Sequence, residues 1–194
     1  MYLQDIITSE VRVKILIELF SETEKHLYVR ELTRRVSTEI NAVRRELKRL
    51  TKAGILKKEK RGNRLYYLLR KDYPFYRELM EMVSKEKGIG HLVLENQNSL
   101  GKVKMAMLSY EFAEGRESEK DELDLLFVGD VNLDVLSRIV KEASDVIGRE
   151  INYTVLGEEE FEYLKSRRDT FLLSFLISPN IILLGDATKY LAFS

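Results

Sequence analysis

The residues best suited to chemistry lie at positions 37–54, in the stretch STEINAVRRELKRLTKAG. Placing successive residues about 100° apart around a helix puts Thr38, Asn41, Arg45, Lys48, Arg49 and Lys52 on one side, with Arg44 on a flank. On the other side Ile40, Val43, Leu47 and Leu50 recur at steps of three and four, the period of a buried stripe. A hydroxyl, an amide and several cations presented together suit a nucleic-acid duplex. Phosphates attract charge, and base edges match forked donors. The same pattern also fits an ordinary solvated basic face. Ser37 or Thr38 would cap the helix, and Gly54 would close it in the left-handed conformation.

The neighbouring elements must hold this helix in place. Residues 9–20 read as a helix with Val13, Leu16, Ile17 and Phe20 inward and Ser9 as its cap. His26 and Leu27 fit a short strand, and residues 29–36 form a second helix with Val29, Leu32 and Val36 inward. After the central helix, residues 55–60 read as a strand, Arg61-Gly62-Asn63-Arg64 as a turn, and residues 65–69 as the returning strand. The segment YVRELTRRV, the helix ending in LKRLTKAGIL and the hairpin resemble the winged helix-turn-helix transcription regulators of the ArsR-like kind.

That resemblance implies a binding mode. The helix of residues 37–53 would enter the major groove, with Thr38, Asn41 and Arg45 at base edges and Arg44, Lys48 and Arg49 on phosphates. Lys60, Arg61, Asn63 and Arg64, at the wing tip, would reach the adjoining backbone or minor groove. The partner would be double-stranded DNA. A homodimer would favour a near-palindromic operator with half-sites about 34 Å apart.

Asp72-Tyr73-Pro74 marks a break, and a helix is expected over residues 74–87. Phe75, Tyr76, Leu79, Met80, Met82 and Val83 make its apolar stripe broad. Such a helix either pairs two subunits, as in related regulators, or packs on its own domain; pairing is the expectation. Gly88 and Gly90 punctuate, and residues 91–100 suit another helix. Strands then alternate with helices: strands at 102–108, 123–128, 151–156 and 181–184, helices at 133–147, 158–168 and 171–177. That order indicates an α/β domain.

Residues 100–186 resemble a minimal nucleotidyltransferase domain, in the version fused to winged helices. The likeness rests on Leu108-Ser109-Tyr110, Ala113-Glu114-Gly115, Glu122-Leu123-Asp124 leading into LLFVGD, and downstream Arg149 to Val155, Glu159-Glu160-Phe161 and Leu183-Leu184-Gly185-Asp186. In that family a Gly-Ser turn approaches a triphosphate, and paired carboxylates hold Mg²⁺. Here Leu108 replaces the glycine and Glu114 replaces a cation. Glu122 and Asp124, with Asp121 beside them, are therefore vestigial candidates, and the domain is expected to be non-catalytic, with no cofactor or metal. It would serve assembly or the sensing of a small-molecule or protein effector. Asp124, inside an apolar run, needs a partner if buried.

Composition sets the outer bounds. The chain has 194 residues and no net charge, but residues 1–90 hold about 21 Lys+Arg against 13 Asp+Glu, roughly +8, and the remainder is roughly −8. Only the front is expected to meet nucleic acid. No cysteine is present, which excludes disulfides and thiolate chemistry. His26 and His91 stand apart from any ligand spacing. The N-terminus MYLQDIITSEV does not read as a secretory signal, and no apolar run spans a membrane, so a cytoplasmic protein is expected. The high share of charged residues, 33%, leans towards a thermophilic source.

The expected fold is thus an α+β winged helix-turn-helix domain at residues 1–72, a helical linker and dimerisation segment at 73–99, and a degenerate α/β nucleotidyltransferase-like domain at 100–194. The expected function is sequence-specific transcription regulation, not enzymatic. The alternatives are a Mg-dependent nucleotidyltransferase carrying a nucleic-acid-binding winged helix, and an antitoxin-like partner module.

Overall fold

A computed structural model describes residues 3–116 and 122–191. The chain divides into two compact units, Met1–Glu86 and Lys87–Ser194. Among the described residues no helix is long and apolar enough to cross a membrane.

In the first unit, α1 (Glu10–Ser21) begins at Ser9, whose side chain accepts from the Arg12 amide. There follow β1 (Leu27–Tyr28), α2 (Val29–Arg35), α3 (Ile40–Lys52), β2 (Leu56–Arg61), β3 (Arg64–Leu69) and α4 (Tyr76–Glu86). The strands form an antiparallel sheet in the order β1-β3-β2. Arg61 pairs with Arg64 across the two-residue turn Gly62-Asn63. Gly62 there has φ +57°, while Asn63 keeps a negative φ, as a tight hairpin with glycine at its first central position requires. Val13, Leu16 and Phe20 of α1, Leu32 of α2, and Val43, Leu47 and Leu50 of α3 are buried with Leu56 and Tyr67 of the sheet.

α4 adds Tyr76, Met80 and Val83 to this unit, packing on α1, with the Phe20 and Tyr76 rings 5.4 Å apart. The carboxylate of Glu86, at its end, accepts from the Leu3 amide. Its next neighbour, α5 (Gly88–Glu95), buries Ile89, Gly90 and Val93 in the second unit, against α7 (Leu133–Ile147). Residues 73–99 therefore do not form one linker body. Each helix follows its own apolar stripe into a different core.

The second unit also contains β4 (Gly101–Ser109), α6 (Tyr110–Ala113), β5 (Leu125–Val131), β6 (Tyr153–Leu156), α8 (Glu158–Ser166), α9 (Thr170–Ile177), β7 (Asn180–Gly185) and α10 (Ala187–Leu191). The sheet is mixed, in the order β6-β5-β4-β7, with β5 and β6 parallel and the other pairs antiparallel. Met105, Met107, Leu126 and Val128 pack with Phe161, Leu172, Phe175 and Leu176 from α8 and α9. α7 spans the residues its periodicity indicates, capped by Asn132 and closed by Gly148 at φ +72°.

β4 is irregular around Lys104, where its register with β5 shifts. Gly185 lies opposite at φ +87°, and an added Cβ would overlap the Lys104 carbonyl oxygen. Left-handed strain and a backbone collision combine there, so Gly185→Ala is expected to destabilise the second unit by about 2–4 kcal/mol. Urea unfolding of the variant against the parent measures this directly.

Candidate nucleic-acid interface

The central helix begins later than its sequence signals indicate. Ser37 takes φ +49° in the turn after α2, and the Thr38 hydroxyl donates to the Val36 carbonyl at 3.0 Å. Neither caps α3. Glu39 does: its Oε2 accepts from the amides of Asn41 at 2.7 Å and Ala42 at 3.3 Å. Thr38 thus lies before the helix, half-buried, and not on its outward face as expected. Asn41, Arg44, Arg45, Lys48 and Arg49 are exposed on α3, opposite the buried Val43, Leu47 and Leu50. Arg45 and Lys48 have no ion-pair partner among the described residues.

One acidic residue of α3 faces inward. Glu46 is 8% exposed. Its carboxylate accepts from the Arg12 Nε at 2.8 Å and the Ser9 hydroxyl at 3.1 Å, both at the start of α1. Arg49 approaches its other oxygen at 3.5 Å while remaining 69% exposed. Burial pushes this carboxyl up, but the Arg12 hydrogen bond and charge, the Ser9 hydroxyl and the Arg49 charge outweigh it, leaving its pKa below the ordinary carboxylate value. Sequence inspection passed over Glu46, although its position three residues from both Val43 and Arg49 placed it beside the apolar stripe.

The hairpin sorts its side chains by alternation. On the face carrying buried Tyr67 and Leu69 stand Lys58, directly across from Tyr67, and Lys60, across from Leu65. The Lys58 ammonium lies 5.9 Å over the Tyr67 ring. Burial raises the Tyr67 phenol's pKa, and the charge of Arg44 works against that rise. Lys60 and Asn63 have no partner among the described residues.

Arg61 and Arg64 lie on the opposite face, with Glu59 and Tyr66. The Arg61 guanidinium donates from Nε to Glu59 at 2.8 Å and sits 2.7 Å from the His26 Nε2. Arg64 lies 5.0 Å over the Tyr28 ring. The four tip residues therefore do not act as one cluster. Lys60 shares the face that carries Tyr67, while the two arginines are engaged on the other.

In the second unit, Asp124 is 1% exposed and finds its partner in Asn152, whose amide donates to Asp124 Oδ2 at 2.8 Å. The Asn152 side chain donates in turn to the Glu122 carbonyl at 3.0 Å. The Glu122 carboxylate meets Arg116, which also holds Glu111. Leu108 is buried across from Leu125, and the Ser109 hydroxyl accepts from the Phe112 amide at the start of α6. Asp121 lies outside the described residues, among which no group of three or more His, Asp or Glu converges as a metal site would need. His91 stands 3.1 Å from Glu95, one turn along α5.

No family model matches the chain, and no curated protein does. Among solved structures, human N-acetylserotonin methyltransferase in complex with SAM is similar over 61% of this chain and 37% of its own length, at 16% identity and a TM-score of 0.30. A likeness so slight carries no argument.

Because the Glu46 pKa is depressed in the folded chain, its stabilising effect is present above its unfolded value and is lost as pH falls through the folded one. Glu46→Gln is expected to cost about 1–3 kcal/mol at pH 7. Urea unfolding across a pH series should show that difference shrinking as the medium becomes acidic below the ordinary carboxylate range.

Proposed function

We propose that the first unit is a winged helix that binds duplex DNA, and that the chain is a sequence-specific transcription regulator of the cytoplasm. The observation that carries this reading is the outward row of Asn41, Arg44, Arg45, Lys48 and Arg49 on a helix anchored through Glu46, with Lys58 and Lys60 of the neighbouring hairpin on the sheet face that carries Tyr67. The helix would lie in the major groove, with Asn41 and Arg45 at base edges and Arg44, Lys48 and Arg49 at phosphates. Lys60 and Asn63 would extend the contact along the backbone. Arg61 and Arg64 would join it only after leaving Glu59 and the Tyr28 ring.

Two copies would bind as a dimer on a near-palindromic site. Because Tyr76, Met80 and Val83 already face their own unit, pairing through α4 would use the half-buried Leu79 and Met82, with Phe75, 60% exposed, just before the helix. The second unit is read as a non-catalytic relative of minimal nucleotidyltransferases. Leu108 filling the place of a glycine and Asp124 turned to the Asn152 amide support that reading.

Electrophoretic and fluorescence titrations against duplex DNA over a salt series test the proposal. Arg45→Ala is expected to weaken binding to the preferred sequence by about 1–3 kcal/mol and to relax sequence choice. Lys60→Ala should weaken all duplexes alike and reduce the salt slope by about one. Parental binding to every duplex by both variants would overturn the mode.

A further inference from the structure

The leading end of the cationic surface carries an exposed carboxylate, Glu39. Its cap is unusual in type, since short hydroxyl, amide and aspartate side chains are favoured there. Ser37 and Thr38 stand beside it, yet the first is turned aside at φ +49° and the second is bonded back to Val36. Both backbone amides go to Glu39 Oε2. Among the described residues Oε1 meets only the Asn41 side-chain amide, at a long 3.4 Å, and the Asn41 side-chain oxygen Oδ1 accepts from Arg44 at 3.5 Å. An acceptor with open lone pairs is thus held at the outer surface, next to an amide and a guanidinium.

An ionised carboxylate accepts hydrogen bonds and donates none. On its own major-groove edge cytosine offers an amino donor and no acceptor, whereas adenine carries N7 beside its amino group and guanine shows only acceptors. Phosphate repels the same carboxylate. Resting on the DNA-binding reading above, in which the first residues of such a helix face base edges, we infer that Glu39 is a specificity-determining residue. It accepts from the N4 amino group of one cytosine in each half-site. It also penalises non-specific docking, where its oxygen meets phosphates with no donor in return.

The test uses the full chain as parent, Glu39→Ser and Glu39→Gln, each selected against a random duplex library and titrated with one random-sequence duplex. Serine keeps an oxygen for the cap while removing the charge, and glutamine keeps the shape. The parent is expected to enrich a motif with a cytosine at one position. Glu39→Ser should lose that preference by about fivefold or more, with the other positions retained, and should bind the random duplex more tightly. Glu39→Gln should shift the same position towards adenine, a change of base identity that a frayed helix cannot produce. An unchanged motif in both variants, or an equal loss at every position, overturns the inference and leaves the DNA-binding reading standing. A parent that enriches nothing overturns both.

Discussion

The first unit depends on a buried carboxylate. Glu46 brings a negative charge into the seam between α1 and α3, which is costly unless donors meet it. Arg12 and Ser9 do so from the same turn of α1, and Ser9 also opens that helix as its cap. One short segment therefore starts α1 and fixes α3 against it. Apolar packing of Val43 and Leu47 holds the helix inward but tolerates sliding. A charge bonded to a guanidinium and a hydroxyl defines its rotation and its height.

From that rotation the surface follows. With Val43, Leu47 and Leu50 inward and Glu46 locked, the side chains of Arg45 and Lys48 stand exposed, without an ion-pair partner among the described residues. The hairpin adds a second constraint of the same kind. Alternation along β2 sends Lys58 and Lys60 to one face and Glu59 and Arg61 to the other, and no rotamer change exchanges them. A basic composition is thus divided into cations presented and cations occupied. The second unit treats charge differently, turning the buried Asp124 to the Asn152 backbone amide at the starts of β5 and β6.

Periodic features were legible in the sequence because each repeats its signal. The stripe of α3, the two strands of the hairpin and the span of α7 all declare themselves several times over. Single events were not legible. Nothing in STE says that Ser37 takes a left-handed conformation, and that one backbone choice passes the cap to Glu39 and removes Thr38 from the helix face. The approach of Arg61 to His26 depends on β1 lying beside β3, a contact across 35 residues of chain. The split of residues 73–99 was hidden for another reason: two apolar helices in succession look alike whichever core receives them.

The two-residue turn at Gly62 has a wider meaning. A long wing loop would wander in the free protein and lose that freedom on meeting a ligand, which weakens association. Here the ladder runs to Arg61 and Arg64, so the tip has no slack to lose. Lys60 and Asn63 travel with the strands as a stiff lever, and any groove they enter must match a reach already set when the chain folds.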